Sequence, residues 1–525
     1  NESESVSKTL EYAYDDWCIA IFADSLGHDS IASIFYKRAQ YYKNLYHPDS
    51  KFMQPRFNGG WKDNFKPSEV TFDFTEANSW QYSLFVPQDI NGLIELLGGA
   101  DSLELWLDNL FSAKPETTGR HQVDITGLIG QYAHGNEPSH HMAYLYNFTH
   151  SPWKTNHYVN RIFNEMYSNA PDGLSGNEDC GQMSSWYVLS ALGFYSLTPG
   201  SDYYALGCPR YKLANLSLEN GKEFRVIAEN LTEKNIYIES IYINGSKVDR
   251  NFIRHSEIMA GGELKFIMTN SKTDIAFKEM PLTKIYNQPF LRAPTLSNSV
   301  VPFTKKKVIK FEHIADSTEI RYTLDGSEPL SNSKKYKAKG IKIKETTTLK
   351  AISVKQSLQS LPTTAYFVLT NNDWSIKLKS TFHDHYSGGG ERALIDQIYG
   401  NTDFRTGSWQ GFFDQDLDVE IDLGKIQDIN SIGINLLQDA KSWIWYPSEV
   451  SFQISNDGIE WFTLGTVLNE FPRTQLGSFI QPFKLDKTVS TRFIRIIAKN
   501  PGPCPEWHPG AGNPSYIFAD EISID

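Results

Sequence analysis

Asp73-Phe-Thr-Glu76-Ala-Asn78-Ser-Trp80-Gln81-Tyr82 reads as a polar loop that turns into a helix carrying aromatic side chains. An acid stands at the turn, an amide follows, and the helix begins at once. The same grammar recurs twice. Gly135-Asn136-Glu137-Pro138-Ser-His140-His141 puts an acid and an amide before a helix-like run, with Pro138 suited to a first helical turn. Asp172-Gly-Leu-Ser-Gly176-Asn177-Glu178-Asp179-Cys-Gly181-Gln182-Met-Ser-Ser-Trp186 places two adjacent acids between glycines at another helix start. Three loops of one kind, each feeding a helix, suggest paired helices packed in a ring or toroid whose functional loops meet at one rim.

Working outward, residues 1–200 read as helical. Tyr12, Ile19, Ala23 and Leu26 recur at three- and four-residue steps. Further helices are expected near 29–46, 77–98, 101–113, 126–134, 138–147, 152–168 and 180–193, with Gly, Pro and Asn at the joints. Residues 201–280 change character. Phe224-Arg-Val-Ile-Ala and Ile236-Tyr-Ile-Glu-Ser-Ile-Tyr-Ile alternate as strands, and Asn244-Gly is a hairpin signal. Residues 281–295, with Pro281, Pro289 and Pro294, read as a linker. Residues 296–370 suggest a small immunoglobulin-like sandwich and 371–525 a jelly-roll-like one, where Asp418-Val-Glu-Ile-Asp-Leu and Arg492-Phe-Ile-Arg-Ile-Ile alternate at period two.

Composition narrows the function. The 525 residues exceed one core, and at roughly 100–200 residues per domain about three or four are expected. No run of about 18 apolar residues occurs, so no transmembrane segment is expected. A formal charge of −12 argues against nucleic acid as the main partner and suits a neutral substrate or a bound cation. Aromatic residues make up 13% of the chain, and several stand in polar, Pro-rich stretches such as Cys504-Pro-Glu-Trp507-His508-Pro-Gly, where an exposed ring suits the flat face of a sugar. Cys18, Cys180, Cys208 and Cys504 are too scattered to suggest a disulfide framework or a zinc site. The chain opens at Asn1, without Met, directly into helix-like sequence, so a removed upstream segment is expected.

Each loop has two readings. Glu76 suits a general acid, because aromatic walls raise a carboxyl pKa by desolvation, but an acid also complements a helix N-terminus. Asn136 and Glu137 offer oxygen donors for a hard cation such as Ca²⁺, or merely cap a helix. His140 and His141 are candidates for hydrogen bonds to sugar hydroxyls. Adjacent on a helix, they cannot face one metal together. Asp179 suits a general base that activates water, or caps a solvated loop. Two carboxyls across a cleft describe glycoside hydrolysis, in which inverting enzymes set them about 6.5–9.5 Å apart.

These motifs resemble glycoside hydrolase family 92 α-mannosidases. The resemblance runs over residues 1–275, through Ser5-Val-Ser-Lys-Thr-Leu-Glu-Tyr-Ala-Tyr-Asp-Asp-Trp, Asn58-Gly-Gly-Trp, Thr75-Glu-Ala-Asn-Ser-Trp-Gln-Tyr, Gly127-Leu-Ile-Gly-Gln-Tyr-Ala-His-Gly-Asn-Glu-Pro-Ser-His-His and Gly176-Asn-Glu-Asp-Cys-Gly-Gln-Met-Ser. It implies an (α/α)6 toroid portion with a β-sandwich segment, and an exo-acting, inverting, Ca²⁺-dependent enzyme that takes terminal mannose from glycans through α-1,2 or related linkages. On that resemblance Glu76 is the general acid and Asp179 the base. Asn177 stands where some members carry an acid. Trp80, Gln81, Arg120, His121, His140, His141 and Glu178 are expected near substrate, and Asn136 and Glu137 near the metal. The family's N-terminal sandwich and first helices have no counterpart here, so the missing N-terminal half of the catalytic region is an expected partner. A bacterial protein that is secreted, periplasmic or at the cell surface is expected, and on a bacterial host the sequons at Asn147 and Asn244 carry little weight.

Two further resemblances follow. Ile320-Arg-Tyr-Thr-Leu-Asp-Gly-Ser-Glu-Pro and Leu349-Lys-Ala-Ile-Ser resemble the C-terminal domain of chitobiases and hexosaminidases. Trp409-Gln-Gly-Phe, Asp422-Leu-Gly, Val450-Ser-Phe-Gln-Ile-Ser-Asn-Asp-Gly-Ile-Glu-Trp and Ala519-Asp-Glu-Ile resemble discoidin-like carbohydrate-binding modules with a β jelly roll. The latter implies a structural Ca²⁺, with Asp396, Asp403 and Glu521 as candidate ligands, and a sugar site lined by Trp443, Trp445, Trp507 and His508. Two other functions remain open. One is a carbohydrate-binding fragment without catalysis. The other is a mannosyl-phosphate uncapping activity of the same family, against which Glu76 counts because the acid position there is typically not Glu.

Overall fold

The computed structural model describes residues 2–272, 277–280, 283–286, 288–370 and 374–525. Pro281, the first proline of the expected linker, lies outside these. The chain divides into two compact units, Glu4–Pro55 with Lys62–Arg292, and Asn1–Ser3 with Arg56–Trp61 and Ala293–Asp525.

The first unit is built on helices Ser5–Ser25, Asp29–Arg38, Ile90–Leu97, Ala100–Ser112, Trp153–Glu165 and Gln182–Ala191. In Ser5–Ser25 the face that packs inward carries Val6, Leu10, Ala13, Ala20 and Ala23. The apolar stripe of Tyr12, Ile19, Phe22 and Leu26, continued by Ile31 and Ile34 on the next helix, faces outward, with Phe22 68% exposed. Two expected helices take other forms. Residues 126–134 make a small hairpin, Leu128–Ile129 against Tyr132–Ala133, because Gly127 and Gly130 both adopt positive φ and turn the chain where a helix would need continuous αR residues. Met142–Phe148 is a fully buried 3₁₀ segment.

The 201–280 segment belongs to the same unit. It forms a five-stranded sheet in the order Leu213–Ser217, Glu223–Glu229, Gly262–Thr269, Tyr237–Ile243 and Ser246–Val248. Phe224, Val226 and Ala228 alternate inward against Leu264, Phe266 and Met268, as a half-buried sheet requires. Asn244 and Gly245 both take positive φ, the geometry that closes a two-residue hairpin without splaying its strands.

In the second unit, a sheet containing Glu319–Thr323, Thr347–Lys355 and Thr363–Leu369 packs with the ribbon Lys307–Ile309/Ile341–Ile343 around Ile320, Leu349 and Phe367. The C-terminal β-sandwich follows. Its strands Leu417–Asp439 and Ser478–Ala498 run antiparallel and bend at register shifts after Asp422 and Ile429. Val419, Ile421, Ile434, Phe452, Ile494 and Ile496 fill its core. Among the described residues no helix is long and apolar enough to cross a membrane.

Candidate active site

Glu76 sits on a loop pinned at both ends. On one side, Val6 N–H donates to the Asp73 carbonyl (3.1 Å) and Thr75 N–H to Ser7 Oγ (2.8 Å). On the other, Asn78 caps the short helix Ser79–Tyr82, with Gln81 closing a capping box. Glu76 itself is forced to φ 52°, an uncommon region for a residue with a side chain. Asn136 Nδ2 donates to the Glu76 carbonyl (3.0 Å), so the second loop holds the first in that turn.

The second and third loops touch directly. Gly135 N–H donates to the Thr126 carbonyl (3.1 Å), and Thr126 Oγ1 donates to the Ser175 carbonyl. A Cβ on Gly176 would lie 2.9 Å from Gly135 Cα and O, and one on Gly135 would lie 2.5 Å from the Ser175 carbonyl. Glycine is needed at both positions for the loops to approach this closely. Asp179, Cys180 and Gly181 then take φ of 49°, 57° and 95° in succession before helix Gln182–Ala191.

The three loops gather carboxylates. Partial burial raises the pKa of the Glu76 carboxyl, although much of its side chain stays exposed, and the charges of Asp124, Glu137, Asp179 and Glu4 raise it further. Glu137 is raised by burial and by Asp179, whose carboxyl is also its hydrogen-bond partner. Glu76 and Asp179 are exposed and Glu137 is half-buried. Sequence reasoning missed Asp124. Its only signal was an acid three residues before Gly127, on the loop that Thr126 ties to Ser175.

Several expected substrate residues are spent inside the protein. His140 Nε2 donates to the His134 carbonyl (2.9 Å) and its Nδ1 accepts from Gln182 Nε2 (3.1 Å), which leaves no ring nitrogen for a sugar. His141 is buried and donates to the Leu84 carbonyl (2.8 Å). Burial lowers each imidazole to about 4, so both are neutral. Gln81 is fully buried, accepting from Asn78 N–H and donating to the Gln131 carbonyl. Trp80 packs into an aromatic cluster with Phe52 and Trp106, at ring separations of 4.6 and 5.0 Å. Glu178 caps its own helix through Ser184 N–H and Oγ. Arg120 lies over the Phe72 ring (3.7 Å), beside the Glu76 loop. His121 and Asn177 are exposed.

In the C-terminal sandwich, Asp396, Asp520 and Glu521 cluster. Asp396 accepts from Ile398 N–H (2.8 Å), Glu521 from Gln397 N–H (2.7 Å), and Asp520 from Gly400 N–H (2.6 Å) and Asn435 Nδ2. Burial pushes them up to about 7, 9 and 6 respectively. Asp403 is not one of this set. Burial raises its carboxyl, but the pair with Arg405 (2.8 Å) and the hydrogen bond from Ser3 together hold it low. Trp445 and His508 are buried and stack edge to face (5.3 Å). Trp443 is half-buried against Gly510, and Trp507 is 45% exposed. Burial takes Trp445 and His508 out of the expected sugar-facing set.

Carboxylates on stitched loops at helix starts, in a chain that also carries a β-sandwich of the discoidin type, suit a glycoside hydrolase domain joined to a carbohydrate-binding domain. The chain belongs to glycosyl hydrolase family 92, whose catalytic-domain model matches residues 1–270. The chitobiase/beta-hexosaminidase C-terminal domain matches residues 303–365, and the F5/8 type C domain residues 375–517. An uncharacterized secreted glycosidase of Arthroderma benhamiae is 27% identical over 293 residues, covering 51% of this chain and 36% of the relative. A family GH92 alpha-mannosidase from Bacteroides thetaiotaomicron, solved in complex with mannoimidazole, is 39% identical at a TM-score of 0.51. That match covers 54% of this chain and 39% of the mannosidase, so the chain spans about two-fifths of the length of these relatives. The multidomain α and β fold class, with helical catalytic portion, immunoglobulin-like sandwich and discoidin-like sandwich, stands.

Proposed function

We propose that this chain forms part of an exo-acting, inverting, Ca²⁺-dependent α-mannosidase that removes terminal mannose from glycans, with α-1,2 or related linkages the first to test. The observation that carries the reading is the meeting of Glu76, Glu137 and Asp179 on three stitched loops, with the Glu76 carboxyl raised by burial and by its acidic neighbours.

A raised Glu76 carboxyl is suited to deliver a proton to the departing glycosidic oxygen. Asp179, exposed on its own turn, takes a proton from the attacking water. Asn136 acts on neither substrate nor water but holds the Glu76 turn through the main-chain carbonyl. The carboxylate oxygens of Glu137, in a site with excess negative charge, fit a hard divalent cation, with Asn136 holding the neighbouring turn. Bound Ca²⁺ would supply charge compensation and a grip on sugar hydroxyls.

The rest of the cleft comes, on this reading, from a further segment of the catalytic region. Two observations support that. The chain covers 39% of the mannosidase it resembles, and the stripe of Tyr12, Phe22, Leu26 and Ile34 leaves apolar surface uncovered on the first two helices. A secreted or cell-surface bacterial enzyme is the matching setting, and the fungal relative is described as secreted.

The test is mannose release from a panel of mannobioses by the complete parent protein, with and without Ca²⁺. Release of β-mannose as the first anomer, lost on chelation, is expected. Release of α-mannose, or full activity in chelator, would sink the inverting and Ca²⁺-dependent readings respectively.

A further inference from the structure

The middle β domain differs in charge from the rest of the molecule. Residues 305–355 hold 13 Lys and Arg against 6 Asp and Glu, whereas the whole chain holds 50 against 62. Strand pairing sorts these lysines. In the ribbon Lys307–Ile309/Ile341–Ile343 the cross-strand partners are Lys307 with Ile343, Val308 with Lys342, and Ile309 with Ile341. Ile309, Ile341 and Ile343 are buried, so their face is the inner one. Lys307 follows them inward, with its ammonium over the Phe367 ring (4.9 Å) and bonded to the Val300 carbonyl.

The other face is the outer one. Val308 and Lys342 stand on it, and period-two alternation adds Lys306, Lys310 and Lys344. All five are exposed. Gly340 confirms the register, since a Cβ there would lie 2.6 Å from Val308 Cγ1 and 3.3 Å from Lys310 Cγ. The turn that feeds the second strand brings two more exposed lysines, Lys337 and Lys339. Among the described residues none of these six ammoniums has an ion-pair partner. Elsewhere in the domain, by contrast, Lys335 pairs with Glu319 and Lys350 with Glu328. Six unpaired like charges on one narrow ribbon repel one another, and a bound anion would relieve that repulsion.

We infer that this lysine ribbon is a docking surface for an anionic glycan, one that carries carboxylate or phosphate groups along its chain. Three observations choose that partner. The ribbon lies in sequence between a glycosidase domain and a carbohydrate-binding domain. It carries Lys and Val but no exposed aromatic ring on which a base could stack, and the net acidity of the chain opposes the dense charge of a nucleic acid. Val308 is the ribbon's own apolar residue, 41% exposed, which is little for insertion into a lipid surface. Lysines act here as point charges without the forked geometry of arginine, so the surface selects charge rather than a particular sugar. It would hold the protein against an acidic polysaccharide while the carboxylate site works on neutral sugar.

The test uses the whole chain. Binding is measured to immobilised polygalacturonate and to a phosphorylated mannan, with neutral mannan, mixed phosphatidylcholine–phosphatidylglycerol vesicles and short duplex DNA as the other arms. Lys306→Gln, Lys310→Gln, Lys342→Gln and Lys344→Gln are combined in one variant. Lys37→Gln, Lys212→Gln, Lys222→Gln and Lys234→Gln make a charge-matched control. Affinity for the anionic glycans should fall by about tenfold or more in the ribbon variant, stay within about twofold in the control, and weaken steeply with added salt in the unmodified chain. Lys337→Gln with Lys339→Gln, on the turn, should show a smaller loss if the strand variant fails to fold. Equal retention by ribbon and control variants overturns the inference. So does salt-insensitive binding, or tighter binding to vesicles or DNA than to either glycan.

Discussion

Two groups of carboxylates dominate this protein, and they differ in what surrounds them. Glu76, Glu137 and Asp179 sit on loop turns, with Glu76 and Asp179 exposed, and their neighbours include other acids that raise Glu76 and Glu137. Asp396, Asp520 and Glu521 lie inside a β-sandwich, with Asp520 and Glu521 almost fully buried and each of the three accepting a backbone N–H. Crowded negative charge has opposite consequences in the two settings. At an accessible turn it raises the proton affinity of Glu76 and Glu137 while both stay within reach of solvent. In the interior it leaves three groups whose ionisation is disfavoured and would be eased by a neutralising cation.

The contrast breaks first on turnover. Glu76→Gln and Asp179→Asn, each made in the complete catalytic region, should lower kcat for mannobiose by about 10²–10⁴-fold with little change in Tm. The same loss should not follow from Glu521→Gln. If Glu76→Gln retained normal hydrolysis, the accessible cluster would be a capping network and nothing more.

The second break is pH-dependent. Asp396, Asp520 and Glu521 hold their protons to about 7, 6 and 9 in the fold, against about 4 when unfolded. Between those values the folded state binds more protons than the unfolded one, so stability falls as pH rises through that window. In chelator, the melting temperature of the C-terminal sandwich should drop by several degrees from pH 5 to pH 8. With millimolar Ca²⁺ the drop should shrink, because a bound cation replaces the protons. A flat profile in both conditions would leave the buried cluster without a cation role.

Sequence carried the first cluster further than the second. The gathering of the Glu76 and Asp179 loops was legible because each stands at a loop-to-helix junction with its own Gly or Asn punctuation. Polar residues in the same motifs misled. His140, His141 and Gln81 look like substrate groups, yet their donors are consumed by the carbonyls of His134, Leu84 and Gln131. Spacing cannot say whether a polar atom points to solvent or to a backbone. Asp520 was illegible for a different reason. Strand alternation sends neighbours 520 and 521 to opposite faces. The register against Leu417–Asp439 slips between Ile434–Ile522 and Leu436–Ala519, so an extra residue is accommodated there and both carboxyls join one cluster. The expected helix at 126–134 failed on Gly127 and Gly130, whose positive φ is invisible to a hydrophobic period.

A third experiment sharpens the accessible cluster. Asn136→Ala removes the 3.0 Å hydrogen bond to the Glu76 carbonyl and touches no carboxyl. One such bond is worth about 0.5–1.5 kcal/mol. Loss of it should lower kcat by about tenfold at most while KM stays near its original value. The alkaline limb of the pH–rate profile, where the acid loses its proton, should keep its position, since the charges around Glu76 are unchanged. A collapse as deep as that of Glu76→Gln would show that Asn136 meets the reacting atoms or the metal directly.

The smallest effect belongs to Trp507, and it tests whether exposure separates working rings from structural ones as it separates the carboxylates. Trp445 is fully buried, donates its indole N–H to the Arg473 carbonyl (3.2 Å) and packs on His508. Trp507 meets His508 edge-on at 5.6 Å but leaves 45% of its surface to solvent. Removing a buried indole opens a cavity worth about 3–5 kcal/mol, so Trp445→Ala should lower the melting temperature of the sandwich sharply. Trp507→Ala should leave it nearly unchanged. If Trp507 stacks on sugar, its loss should cost about 1 kcal/mol of glycan binding, a fivefold to tenfold weakening measured by calorimetry on the whole chain. Unchanged affinity with unchanged Tm would move the sugar contact away from this loop. Weakened binding by Trp445→Ala alone would report unfolding rather than recognition.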